Sequence, residues 1–238
     1  MPWLIARYQP VGLFSLKHGE ATSTGGKSLF IPTPFAIRMA LLDAALRTDG
    51  FDAGDEAFER IKSLRLALKP PAYLAVSGLF GKVLKPERDK DSERAMTPTI
   101  AFREFVHLWN ELGLAFGGES QMLKAVAPWL RHVTYFGKRG SFFQLLDKPA
   151  EADSEQPPAD FVLLEGPDIR GGQEFSTFAL GILQRLDDWG PEITFQKANV
   201  YTGDPIKLNK DRIRFDVIFP YQLVRAGRGF TLYECKAL

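Results

Sequence analysis

A chain of 238 residues with 45% hydrophobic and 25% charged side chains has an ordinary globular composition, which excludes a disordered or fibrous protein. Thirty basic residues stand against 29 acidic ones, a formal net charge of +1, and that balance excludes a polyanion binder that works by bulk charge. A single cysteine, Cys235, excludes an internal disulfide and a cysteine-rich zinc site and fits a reducing, cytoplasmic setting.

The N-terminus lacks a basic-then-apolar signal pattern, and no apolar run reaches the roughly 18 to 20 residues needed to span a bilayer, so no membrane contact is expected. Trp3 to Leu16 alternates loosely and reads as a first strand that Pro10 and Gly12 bend. A polar loop from Lys17 to Ser28 contains Gly26-Lys27-Ser28, but a phosphate loop needs glycine where Ala21 stands and a helix directly after, so a Walker site is rejected. Thr33-Pro34 is a helix start, an N-cap hydroxyl followed by proline at the first helical position, and good helix formers run on to Arg47. Apolar residues occupy nearly every face of that helix, which predicts burial; Arg38 is a cation inside it.

Asp55 to Ser63 reads as a short helix, Leu64 to Lys69 as a strand, and Ala72 to Leu84 as an extended segment. The mixed-charge run Lys85 to Arg94 predicts a solvated, mobile excursion. Thr99 to Leu108 reads as a strand, Ser120 to Arg131 as a helix with Pro128 near its end, and Phe142 to Leu146 as a strand. Lys148 to Ala159, rich in Pro, Glu, Asp and Ser, reads as a linker and a domain boundary. Beyond it the pattern is mostly β, with extended stretches at Phe161 to Leu164, Ile193 to Tyr201, Arg212 to Phe219 and Phe230 to Lys236, and an ambiguous one at Phe175 to Leu186. Arg225 and Arg228 flank a second basic glycine turn there.

Between the second long helix and the strand after it lies Tyr135-Phe136-Gly137-Lys138-Arg139-Gly140-Ser141-Phe142-Phe143. Two glycines that can take positive φ bracket two cations, a pattern that suits a phosphate backbone, and the flanking rings could stack on unpaired bases. Catalytic signals are thin. His18, His107 and His132 have no metal-ligand spacing, there is no Gly-x-Ser-x-Gly elbow, and the carboxylates form no distinctive pair. No metal, cofactor or catalytic residue is therefore expected. The order of strand, buried helix, strand, helix, glycine turn and strand fits an α+β chain whose N-terminal domain, residues 1–148, is ferredoxin-like, in the manner of RRM modules, with a smaller β-rich C-terminal part over 160–238.

Two of these features together resemble a known family. The helix introduced by Ile31-Pro32-Thr33-Pro34-Phe35-Ala36-Ile37-Arg38 and the later Phe136-Gly137-Lys138-Arg139-Gly140-Ser141 are similar to those of the CRISPR-associated RAMP proteins, specifically the fifth Cas family. The resemblance implies a non-catalytic subunit of a type I (Cascade) surveillance complex that caps the 5′ handle of the guide RNA and contacts the backbone and large subunits, with target DNA near the PAM as a further contact. It also implies an extended thumb, matched here to residues 85–96. The RNA surface expected on this basis comprises Lys17, His18, Lys27, Arg38, Gly137, Lys138, Arg139 and Gly140. Two alternatives are a metal-independent endoribonuclease using His18 or His132 as general acid or base, and an assembly protein without RNA contact.

Overall fold

The computed structural model describes residues 2–21, 25–88, 93–165 and 181–236. In chain order the elements are β1 (Pro2–Pro10), β2 (Leu16–Lys17), β3 (Gly25–Gly26), β4 (Ser28–Leu29), α1 (Pro34–Asp49), α2 (Gly54–Ser63), β5 (Arg65–Lys69), β6 (Tyr73–Pro86), β7 (Met96–Trp109) and β8 (Leu112–Gly117). There follow α3 (Ser120–Leu130), β9 (Phe143–Leu145), β10 (Ala150–Asp153), β11 (Val162–Leu163), β12 (Ile182–Trp189), α4 (Phe195–Ala198), β13 (Arg212–Phe219), β14 (Tyr221–Ala226) and β15 (Phe230–Cys235). The chain is thus a mixed α/β protein.

Its central sheet runs β10-β1-β8-β5-β11, with β9 also on β1, and each neighbouring pair is antiparallel. Strands β9 and β10 share one edge of β1 end to end, β9 against Tyr8–Pro10 and β10 against Pro2–Ile5. Two β-α-β units interleave here: α1 and α2 carry the chain from β1 to β5, and α3 carries it from β8 to β9. The period of two along β1 divides its side chains between two cores. Leu4, Ala6 and Tyr8 join the main core, whereas Trp3 packs with Ala67 and Ala115 on the opposite face. The Tyr8 hydroxyl donates to the Leu130 carbonyl at 2.7 Å, so this buried phenol is satisfied, and burial pushes its pKa upward.

Helix α1 starts as its sequence predicts. The Thr33 hydroxyl accepts from the Ala36 amide at 3.2 Å and Pro34 occupies the first turn. Ile37, Leu41 and Ala44 are at most 1% exposed, which places the helix at the centre of the molecule. It packs on α2, α3 and β12. Removing the Leu41 side chain should cost about 2 to 5 kcal/mol.

Between β5 and β8 the chain inserts a long hairpin, β6 and β7, paired from Tyr73↔Trp109 to Pro86↔Met96. At about 3.4 Å per residue its fourteen-residue strands reach about 45 Å. Its near half is extended on one side by β15 and β14, in the order β14-β15-β6-β7-β3, so the C-terminal strands are built onto this hairpin. Directly opposite residues of an antiparallel pair point to the same face. On the far half, Phe80 faces Phe102, Lys82 faces Ile100, Leu84 faces Pro98 and Pro86 faces Met96, giving one exposed and largely apolar stripe. Of the run expected to be a mobile excursion, residues 85–86 are strand and 89–92 lie outside the described residues.

Two expectations are corrected. The stretch read as a linker contains β10, whose Ala-Glu-Ala-Asp sequence is mostly exposed, with Ala152 packed against the Trp3 cluster; four residues of such weak alternation do not stand out among the Pro, Glu, Asp and Ser around them. The stretch from Ile193 read as extended contains α4, capped by the Thr194 hydroxyl, which accepts from the Lys197 amide. Of the ambiguous Phe175 to Leu186, residues 175–180 lie outside the described residues and 182–186 belong to β12.

Candidate nucleic-acid interface

Four pieces of chain far apart in sequence meet around a cleft of about 370 Å³. The first is the turn after β2. Lys17 ends the strand, the His18 amide donates to the Lys27 carbonyl at 3.0 Å, and His18 Nδ1 accepts from the Glu20 amide at 3.2 Å. Because that hydrogen bond occupies Nδ1, the free nitrogen of His18 is Nε2. The second is the start of α1, where Thr33, Phe35, Ala36 and Met39 form the apolar floor.

The third piece is the glycine turn. Gly137 has φ of +67°, a conformation that disfavours any side chain, and a Cβ there would lie 3.1 Å from Leu16 Cδ2. The Ser141 amide closes the turn onto the Lys138 carbonyl at 2.9 Å. Phe136 and Phe143 anchor it from below: both are buried, they pack edge to face at 5.1 Å, and they also meet Tyr8 and Phe14. These two rings are core, then, and cannot stack on bases. Phe142 is 54% exposed. Gly140 is not in the left-handed region and has no neighbour within 4 Å, so only Gly137 has the special backbone expected of both.

The fourth piece is the β12–β13 pair, which brings Arg185, Arg212 and Arg214. Two of these are held by carboxylates. Arg185 donates to Asp216 at 2.7 and 2.9 Å and also pairs with Glu20, and its guanidinium holds the Asp216 carboxyl below the usual range, with His18 adding to the effect. Arg212 donates to Asp187 at 2.8 Å and lies over the Phe35 ring at 4.2 Å. The guanidinium of exposed Arg214 packs against Gly19, where a Cβ would come within 3.1 Å of it. Lys17, Lys138 and Arg214 are exposed and form no ion pair among the described residues. The cleft therefore carries three available cations beside two that are already neutralised. Such a surface attracts an extended anion locally while leaving the whole chain near neutral.

Of the residues expected to form the RNA surface, Lys17, His18, Gly137 and Lys138 come together here. Arg139 turns to the other side of Gly137, into a neighbouring depression. Gly140 lines neither. Lys27 stands off the cleft, with its amine 4.0 Å from Glu104. Arg38 is a correction. It is 6% exposed, and four of its five donors are spent: two on Asp188 at 2.7 and 3.2 Å, and one each on the Ile61 and Leu64 carbonyls. A guanidinium so enclosed ties α1 to β12 and to the end of α2. Burial pushes the Asp188 carboxyl up and Arg38 pulls it back. His132 lies outside the cleft, its carbonyl accepting from Arg47 at 2.8 Å. Arg225 and Arg228 belong to the β14–β15 hairpin, also outside it. Cys235 is half-buried, and burial pushes its thiol up, away from nucleophilic use.

Arg185, Arg212 and Arg214 escaped the sequence reading. They sit on a strand pair whose approach to α1 is a tertiary event, and the one local signal was an alternation of arginines with apolar residues along Arg212 to Phe219.

No family model matches the chain. A curated relative, the CRISPR-associated protein Cas5 of Archaeoglobus fulgidus, is 21% identical over 204 residues, an alignment that covers 85% of this chain and 86% of the relative. Among solved structures, a CRISPR protein from Archaeoglobus fulgidus has a TM-score of 0.47 at 11% identity, covering 100% of this chain and 93% of that one. A chain of a CRISPR RNA-guided surveillance complex has a TM-score of 0.38 at 16% identity, covering 78% and 76%. The protein is similar, over most of its length, to a CRISPR-associated protein of the fifth Cas family, the family that its proline-led helix and glycine turn resemble.

Proposed function

We propose that this chain is a non-catalytic, guide-RNA-binding subunit of a CRISPR surveillance complex, and that it holds the 5′ handle of the RNA in the cleft between α1, the glycine turn and β12–β13. The observation that carries the reading is the convergence of Lys17, Lys138 and Arg214 on one cleft from three separate parts of the chain. The 21% identical Cas5 relative supports placing the chain in such a complex. The strand order β9-β1-β8-β5, antiparallel throughout and joined by helices from β1 to β5 and from β8 to β9, supports a ferredoxin-like N-terminal domain.

The exposed stripe of Phe80, Leu84, Met96, Ile100 and Phe102 is the surface a neighbouring backbone subunit would cover. An apolar stripe left open to water marks an interaction surface. A second reading, RNA cleavage, has one observation in its favour: His18 lines the same cleft as Lys17 and Lys138, with Nε2 free.

One experiment separates these readings. Purified chain is titrated against labelled RNA transcribed from its own CRISPR repeat, in EDTA, with anisotropy and gel readouts. Binding of intact RNA, weakened by salt, is the expected result. Specific cleavage that His18→Ala abolishes would establish the nuclease instead, and absence of binding would leave a protein that only assembles.

A further inference from the structure

Gly137, Ala36 and Met39 form a wall with two sides. One side faces the cationic cleft, and the other faces a depression of about 300 Å³, at the small end of ligand pockets, which run from roughly 300 to 1,000 Å³. The adjacent residues Lys138 and Arg139 are divided between the two, Lys138 on the cleft and Arg139 on the depression. A single nucleotide can span such a wall, with phosphate on one side and base on the other.

The lining of the depression has the chemistry a base requires. Its floor is apolar side chains of α1, and at its rim stands Tyr201, 88% exposed, a large ring held out in water. Asn199 is 5% exposed. Its Oδ1 accepts from the Tyr201 amide at 3.0 Å, which fixes the side-chain amide and leaves Nδ2 as the outward end. That Nδ2 has no hydrogen-bond partner among the described residues, yet it is not sealed from solvent. Asp43, which also lines the depression, receives Arg47 on Oδ2 at 3.0 Å and keeps Oδ1 as an acceptor. A stacking ring, one donor and one acceptor around an apolar floor match the face and edge of a nucleobase.

We propose that this depression receives one unstacked base of the RNA strand whose backbone follows the cationic cleft, with Tyr201 as its stacking ring and Asn199 as a reader of its edge. The proposal rests on the RNA-binding reading above. It explains why the basic turn presents its two cations to opposite sides: Arg139 flanks the base and Lys138 the phosphate.

The test is an abasic scan. Single-stranded RNA oligonucleotides transcribed or synthesised to the repeat sequence, each lacking one base but keeping every phosphate, are titrated against the parent chain and Tyr201→Ala by anisotropy at several salt concentrations. In the parent, one position should lose roughly 5- to 150-fold in affinity when its base is removed, the range for base–aromatic stacking. Tyr201→Ala should weaken intact RNA by a similar factor, abolish the penalty at that one position and leave the salt slope unchanged. Tyr201→Trp should retain the penalty. Tyr201 is exposed, so its replacement spares the fold; Asn199→Asp, which keeps the acceptor and removes the donor, should weaken intact RNA without unfolding the chain. If RNA binds with its full salt dependence but every abasic penalty survives in Tyr201→Ala, the base site is refuted and the RNA-binding reading stands. If the parent binds no RNA, both fall together.

Discussion

Replacing Arg38 by methionine should destabilise the protein by about 3 to 5 kcal/mol, the cost of breaking a buried ion pair by removing one partner. The side chain is 6% exposed and bridges three elements, so the variant strips the guanidinium from the Asp188 carboxylate, which keeps only the Trp189 amide, and from the Ile61 and Leu64 carbonyls. Methionine keeps the apolar stem, which isolates the loss to the guanidinium. With a urea m-value of about 3 kcal/mol/M, the midpoint should fall by about 1 to 1.7 M. The effect has a pH signature. Burial raises the Asp188 carboxyl above its ordinary value and Arg38 is the main group that lowers it, so removing Arg38 raises it further. A group whose folded pKa is raised contributes stability at low pH and loses it as pH rises through the folded value. The gap between parent and variant should therefore narrow as pH falls below neutrality. A second variant, Arg38→Met with Asp188→Leu, should recover much of the loss, since no charge is left stranded. A stability change below about 0.5 kcal/mol, together with a clear fall in RNA affinity, would refute the structural role and return Arg38 to the RNA surface.

Gly137→Ala should lower stability by at least about 1 kcal/mol and distort the turn, because φ there is +67° and Leu16 Cδ2 lies 3.1 Å from the new methyl, whereas Gly140→Ala should be neutral in the same melt. Asp211, fully buried, pairs with Lys197 at 2.7 Å and accepts the Lys207 amide at 2.8 Å, and these contacts hold its carboxyl below the ordinary aspartate value. Its contribution is full above that value and lost as pH falls through the folded one, so Asp211→Asn should lower the Tm at pH 7 and converge with the parent in acid. Exchanging Phe80 and Leu84 for serine should leave the melting midpoint of the isolated chain within about 0.5 kcal/mol, since both are exposed, while weakening its capture by a co-expressed backbone subunit in a pull-down.

Local chemistry wrote the centre of this fold into the sequence. The hydroxyl of Thr33, the ring of Pro34 and an apolar circumference specify α1 without reference to anything distant, and the alternation of Arg212 to Phe219 specifies β13 with its observed bounds. Edge pairing left a fainter mark: β10 pairs with the backbone of β1, Ala152 packs on the Trp3 cluster, and Glu151 and Asp153 stay exposed. Thr194 caps α4, but four residues are too few for a helical period to show against the extended pattern around them. The site divides in the same way. The glycine turn was legible because positive φ and paired cations are local properties, and Gly137 bears that out while Gly140 does not. Arg38 was misread because a cation among apolar helix residues says nothing of its partner; the partner is Asp188 of β12, 150 residues away. Arg185, Arg212 and Arg214 acquire meaning only when β12 packs on α1.

The central claim is that the cleft holds an RNA backbone through three cations drawn from three parts of the chain. The salt dependence of affinity for single-stranded repeat RNA measures this most directly, in the parent and in a Lys17→Ala, Lys138→Ala, Arg214→Ala triple variant. With about 0.7 in slope for each lost phosphate contact, the slope of log affinity against log salt should fall by about 2, and the folded fraction should not change. A control that removes the exposed cations Lys124, Arg131 and Lys148, which stand off the cleft, should keep the parent's slope. An unchanged slope in the first variant, or an equal fall in the control, would contradict the account.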